Sequence, residues 1–348
     1  QLRRRGPLPG TGHARRRRQL SPSPPRGAAA STLDELLARN LLFVAGKGGT
    51  GKSTISGALA LVGAQAGRRV LCIEVDGKGD LARCLGAATA GFQPKVVQPN
   101  VSVLALDPEE SLQEYLRLYF KVPRFTRLTP LAKVFEFIAT GLPGTSDMLV
   151  IGKIAYEAKR VEGGRPVWDL IIVDSAATGH VLPQLGAARA MMDLARGGIV
   201  RSQVEWIDAI LSDPKRSLLT VCALPEEMPV AEALELHDRA RTETTITLGA
   251  CFLNRVFTTA VTARQLHVLE ELCAVEHLEA ATRRLGGDPR PVLAGDRIAQ
   301  RLHDTGAAHA RRLRQGMTVP VIEIPLLSGA RPGLATTRAV AAALRAAA

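Results

Sequence analysis

Aromatic residues are scarce in this chain of 348 residues, at 4%, which argues against a platform that stacks single-stranded nucleic acid. Cysteine is scarcer still: Cys72, Cys84, Cys222, Cys251 and Cys273, with the closest pair twelve positions apart. No CxxC pair exists, so a zinc clip built from this chain alone is not expected. The odd count, with three thiols inside apolar runs, reads as buried cysteines in a reducing cytoplasm. No uninterrupted apolar run reaches the roughly 18 residues that a membrane-spanning helix needs. Stable membrane insertion is therefore not expected, and a soluble, cytoplasmic protein is.

Acidic residues are absent from residues 1–30, which hold eight arginines. The net charge of +12 is thus mostly a property of this end: eight of the twelve charges lie there, and four on the rest. Residues 1–32 read as a disordered Arg/Pro-rich tail with nothing to bury. The tail has no apolar stretch of the sort a secretory signal requires. Such charge is able to touch nucleic acid or an anionic membrane, although the plain reading is a disordered leader.

Hydrophobic residues make up 46% of the chain, enough to fill a sizeable core and to exclude global disorder. From residue 33 onward, strand patterns alternate with helical ones. The strand candidates are Leu41–Ala45, Arg69–Val75, Val101–Leu106, Val167–Val173, Leu218–Ala223, Ile246–Leu253 and Val319–Ile324. Most are continuous Val/Ile/Leu runs, as a parallel sheet covered on both faces requires. Two spacings exceed a simple crossover and predict helical insertions at about 108–165 and 256–317. The first contains helical patterns at Ser111–Val122 and Ser146–Arg160, the second at Thr262–Leu285 and Pro291–Gln315. Both are expected to gather beside the sheet as a lobe, with Thr336–Ala347 as a closing helix.

The strongest chemical signal follows the first strand. Gly46-Lys47-Gly48-Gly49-Thr50-Gly51-Lys52-Ser53-Thr54 fits G-x-x-x-x-G-K-[ST], between an apolar strand and the helical run Thr54–Ala66. Glycines let backbone N–H groups wrap around phosphates, and the helix N-terminus adds partial positive charge. Lys52 is placed to reach the β- and γ-phosphates, and the Ser53 hydroxyl to bind Mg²⁺. The fold class expected is therefore α/β: a mostly parallel P-loop NTPase sheet with helices on both faces and a helical lobe from the two insertions. ATP and Mg²⁺ are the implied ligands.

Lys47, directly after the first glycine, resembles the signature lysine of the deviant Walker A ATPases, the group of MinD, nitrogenase iron protein and the arsenite-pump ATPase. That resemblance implies a dimer in which Lys47 crosses to the partner's nucleotide. The strand Val167–Val173 delivers Asp174, placed as a Walker B carboxylate for Mg²⁺, partly through water. Asp174, Ala176, Thr178, Gly179 and His180 resemble the D-T-A-P-T-G-H switch of the ArsA family, which includes the arsenite-pump ATPase and the ATPase that targets tail-anchored membrane proteins. Ser175 and Ala177 depart from it. Asp76, after the second strand, matches the position of that family's water-orienting aspartate, although its Pro, Ala and His are missing here. Lys47, Lys52 and Asp76 are thus the candidate catalytic residues.

The resemblance runs over roughly residues 41–330. Pro143-Gly144 with Asp147 is similar to one family segment, and Pro225-Glu226 with Glu232 to another. Asn254 and the loop at Pro325-Leu326-Leu327 correspond to residues that hold adenine in the family. An amide bonds an adenine edge in both directions, and Pro-Leu covers its face.

What the ATPase drives is less legible. Only Cys273 lies in a lobe-like helix, so a thiolate trio for metalloid is not expected. Leu112–Phe120 and Met148–Ile154 present apolar faces that suit either lobe core or a groove for a client helix. The resemblance implies a homodimer, or a heterodimer with a sister subunit, that couples hydrolysis to anion or metalloid transport or to protein handling. A membrane-protein partner or client fits that reading. The alternative is a surface- or DNA-organising ATPase like MinD and the partition proteins, using the basic tail. The T-G-H segment and the insertions count against it, and nucleic acid is not the expected partner.

Overall fold

The computed structural model describes residues 26–120, 145–176, 178–194, 198–258, 261–327 and 333–347. Pro143, Gly144 and Ala177 lie outside the described residues, as does most of the Arg-rich end. Helix α1 (Arg26–Leu37) leads into β1 (Leu41–Gly46), α2 (Lys52–Gln65), β2 (Val70–Glu74), α3 (Asp80–Cys84), β3 (Lys95–Gln98) and β4 (Val101–Ala105). Then come α4 (Pro108–Phe120), α5 (Thr145–Lys159), the two-residue strands β5 (Val161–Glu162) and β6 (Arg165–Pro166), β7 (Leu170–Asp174), α6 (Thr178–Leu194) and α7 (Gly198–Ser212). The remainder is β8 (Ser217–Ala223), α8 (Glu227–Glu243), β9 (Thr247–Val256), α9 (Ala263–Leu272), α10 (Val275–Leu285), α11 (Arg290–Gly316), β10 (Val321–Pro325) and α12 (Leu334–Ala347).

Eight strands form one sheet in the order β10-β9-β8-β1-β7-β2-β4-β3. Every pairing in it is parallel except β3 with β4. The strand period divides the core in two. Leu41, Phe43 and Ala45 of β1, Leu71 and Ile73 of β2, and Ile171 and Val173 of β7 face one side. There they meet α5, α6, α7, α8 and the end of α11. The alternate residues Leu42, Val44, Val70, Cys72, Leu170 and Ile172 face the other side, under α1, α2, α3 and α12. Both helical insertions therefore send helices to the same face. Val150, Ile151 and Ile154 of α5 are buried there as core, so this stretch covers the sheet and does not line an open groove.

Some boundaries differ from the sequence expectation. Helix α1 starts at Arg26, inside the stretch expected to be tail. Its alanines favour helix, and Leu33, Leu36 and Leu37 anchor it to the sheet. The pattern Thr262–Leu285 is two helices, because Ala274 takes an extended conformation between α9 and α10. The antiparallel edge strand β3 is short and half-exposed, too weakly patterned to stand out. None of the described helices is long and apolar enough to cross a membrane.

A buried polar knot joins the first insertion to the sheet. Lys153 of α5, 4% exposed in its side chain, pairs with Glu114 of α4 at 2.6 Å and with Glu157 at 2.9 Å. Glu157 also accepts a hydrogen bond from the Trp168 indole at 3.0 Å.

Candidate nucleotide site

The carboxyl ends of β1, β2 and β7 open onto one cleft of about 330 Å³, where ligands of open α/β sheets bind. Gly48, Gly49, Gly51, Lys52, Ser53 and Thr54 form one wall; Glu74, Asp76, Lys78 and Asp80 a second; Asp174, Ser175, Arg255 and Gly333 close it. Residues drawn from strands far apart in sequence thus converge on one cleft.

The P-loop is shaped by two close approaches. A β-carbon at Gly46 would lie 2.3 Å from the Cys222 carbonyl oxygen. One at Gly51, where φ is +92°, would lie 2.3 Å from Nδ2 of Asn254. Only glycine fits either place. Below the loop, Thr50 is buried; its backbone N–H and its hydroxyl both donate to the Lys47 carbonyl, the hydroxyl at 2.8 Å. Lys52 Nζ reaches the same carbonyl at 3.3 Å.

Both ends of the Asn254 amide have partners within the protein. Its Nδ2 donates to the Thr50 carbonyl at 2.9 Å, and its Oδ1 accepts from the Arg255 N–H at 3.0 Å. The residue is buried and braces the P-loop from beneath. Its neighbour Arg255 stands at the cleft, with a positive φ of 57°. Pro325 ends β10 beside Val256, and the Leu326 N–H donates to the Val256 carbonyl at 2.9 Å, so both sit at the β9–β10 corner. Of the adenine candidates, the structure brings Pro325 and Leu326 together and places Asn254 under the phosphate loop.

Four carboxylates line the cleft, Glu74, Asp76, Asp80 and Asp174. Asp174 is buried at the end of β7 and accepts from the Ser56 hydroxyl at 3.3 Å. Burial pushes its carboxyl up to about 6; the Ser53 hydroxyl and the charge of Lys52 pull the other way, and Glu74 adds to the rise. Asp76 is more exposed and pairs with Lys78 at 3.3 Å. Glu74, which the sequence reading did not single out, is the register partner of Asp174 across β2 and β7. It is 2% exposed, and burial pushes its carboxyl up as well. Its signal was present: an acid inside an apolar strand, two places before Asp76.

Lys47 takes a direction of its own. It does not line the cleft that Lys52 lines; its ammonium pairs with Glu232 of α8. Further along, Asp147 of α5 faces the switch helix. Burial raises its carboxyl, against the His180 charge and a hydrogen bond with Gln184.

These residues fit a nucleotide and Mg²⁺. The glycine cradle stays open at Gly48 and Gly49, and Glu74, a residue that lines the cleft, has one oxygen buried with no partner. A hydroxyl with one or two carboxylates is the donor set that Mg²⁺ accepts while keeping several waters. The cysteines differ in kind: Cys72, Cys222 and Cys251 are buried in strands, and burial pushes each thiol up, Cys222 to about 12. They are protonated thiols, not soft thiolates.

Known proteins resemble this chain over the region that carries the phosphate loop. A family model described as anion-transporting ATPase matches residues 39–197. ATPase BagA of Mycobacterium tuberculosis is 34% identical over 236 residues, covering 66% of this chain and 68% of the relative. The chain belongs to the ArsA-type ATPases. It is an ATP-hydrolysing enzyme. ATPase get3 of Schizosaccharomyces pombe is 32% identical over 155 residues, 43% of this chain and 45% of that protein. A putative arsenical pump-driving ATPase of Halobacterium salinarum is 27% identical over 276 residues, covering 70% of this chain and 41% of the relative. The family match spans the P-loop, Asp76 and Asp174 of this ArsA-type ATPase; Glu232, Asn254 and Pro325 lie beyond it.

Proposed function

We propose that this ArsA-type ATPase is a two-subunit switch, in which ATP hydrolysis is completed by Lys47 reaching the nucleotide of a partner subunit. The observation that carries this reading is the division between the two P-loop lysines. Lys52 faces its own cleft, whereas Lys47 is held outside it by Glu232, so phosphate binding within one chain leaves Lys47 unused. The partner is a second copy or a sister subunit. Closure and release move the helices of the two insertions, and with them an anionic, metalloid or protein client.

Within one subunit, backbone N–H groups of residues 46–54 cradle the phosphates and Lys52 neutralises the β- and γ-oxygens. Ser53 and Asp174 hold Mg²⁺, which when bound offsets charge on the same oxygens. Asp76 orients the attacking water, acting more by position than by proton abstraction. Pro325 and Leu326 cover adenine. Asn254 braces the loop through Thr50, and its second N–H and remaining Oδ1 lone pair are left for the adenine edge.

The test is the solution mass with Mg·ADP plus aluminium fluoride and without. A mass that doubles only with the transition-state mimic, and fails to in Lys47→Ala, supports the switch. A chain that binds nucleotide but stays monomeric assigns the partner role to a sister subunit. Undiminished hydrolysis in Lys52→Ala would overturn the site itself.

A further inference from the structure

The two oxygens of Glu74, a buried carboxylate at the cleft, have different fates. Its Oε1 accepts from the Asp80 N–H at 2.8 Å, and the backbone N–H groups of Gly79 and Leu81 also face the carboxylate. Its Oε2 is buried with no hydrogen-bond partner, in a side chain only 2% exposed that lines the cleft. Leaving such an oxygen unmet is costly, and the cost is higher for a charged group.

A role as a peg for the loop after β2 does not account for this. A neutral acceptor would take the same N–H bonds without placing a second negative charge beside Asp174. The neighbour makes the choice more expensive: Glu74 and Asp174 are register partners on adjacent parallel strands, and two like charges at that separation disfavour each other. Two buried acids side by side at a phosphate cleft are stable together when a cation lies between them and the phosphates. Mg²⁺ retains waters that donate hydrogen bonds, which are what Oε2 lacks.

We propose that Glu74 is a positioning residue that uses both oxygens: Oε1 fixes the loop that carries Asp76, and Oε2 accepts from a water of the Mg²⁺ shell beside Asp174. Metal occupancy and the placement of Asp76 are thereby linked through one side chain. The inference rests on the ATPase reading of the cleft and adds a residue that the P-loop, Asp76 and Asp174 do not supply.

The experiment measures affinity of the full chain for fluorescent ADP in EDTA and in Mg²⁺. Glu74→Gln keeps an acceptor for the loop but offers Mg²⁺-bound water one acceptor fewer. The expected result is EDTA affinity within about twofold of wild type, with the tightening by Mg²⁺ reduced about tenfold. Full Mg²⁺ tightening in Glu74→Gln overturns the proposal. A second measurement needs no variant: amide exchange at Gly79, Asp80 and Leu81 in wild type with ADP is expected to slow when Mg²⁺ is added, and unchanged exchange overturns the link. Failure of wild type to bind ADP under either condition would instead remove the ATPase reading of the cleft.

Discussion

The Lys47 ammonium and the Glu232 carboxylate form an ion pair between the P-loop and helix α8, and neither residue lines the cleft. Both side chains are partly exposed, so the pair is exchangeable and not a structural fixture. Glu232→Gln is expected to release Lys47, at a cost of ~1 kcal/mol or less in stability. Association of two subunits with Mg·ADP and aluminium fluoride should then occur at severalfold lower protein concentration, read by sedimentation. Association that weakens in Glu232→Gln would mean that the glutamate serves the closed state.

Gly51 and Asn254 are mutually fitted. Gly51→Ala places a methyl against Nδ2 at a backbone angle that L-residues avoid, and a loss of nucleotide affinity of tenfold or more is expected, on the order of 1–2 kcal/mol for the backbone alone. Asn254→Ala loses a buried hydrogen bond to Thr50, at about 1–2 kcal/mol. The double variant is expected to be less damaged than the sum, because the second change removes the clash of the first. Calorimetric ADP titrations of the four proteins measure the coupling.

Asp174 gives a pH signature. Its folded value of about 6 lies above the ordinary 3.8. The stabilising share of the protonated form is complete below the unfolded value and is lost as pH rises through the folded one. Asp174→Asn, neutral throughout, is therefore expected to be more stable than wild type near neutral pH in EDTA, by ~2–3 kcal/mol. The difference should shrink toward about pH 4. Denaturant unfolding across that range tests the sign. With Mg²⁺ and ADP the order should reverse, since the variant loses a metal partner.

Lys153 is buried between Glu114 and Glu157. Lys153→Ala removes the ammonium between two acids, leaving Glu157 with Arg160 and the Trp168 indole, and is expected to cost ~3 kcal/mol, seen as a lower thermal midpoint. Lys153→Met with Glu114→Gln and Glu157→Gln should recover much of that loss, which separates charge from packing.

The sequence shows chemistry best where backbone and motif coincide. The P-loop needs its residues at fixed spacing, so Gly46 to Thr54 are readable without coordinates, and the apolar run before Asp174 marks a buried parallel strand. Asn254 illustrates the limit: its place at a strand end is legible, but the direction of its amide depends on Thr50, which folding brings from 204 positions away. Glu74 is hidden for a related reason. An acid in a strand is ordinary at an edge, and only the pairing of β2 with β7 puts it beside Asp174. The break at Ala274 has no glycine or proline to announce it, so one amphipathic pattern stands for two helices.

The bond between Asn254 and Thr50 also orders events during synthesis. A ribosome delivers the phosphate loop early and its brace late. A nascent chain that has emerged only through the region of the family match carries Lys52, Asp76 and Asp174, yet leaves the Thr50 carbonyl unmet and Lys47 without Glu232. The Thr50 carbonyl thus gains the Cys222 thiol with β8 and the Asn254 amide only with β9, so the underside of the phosphate loop is completed by the second half of the chain.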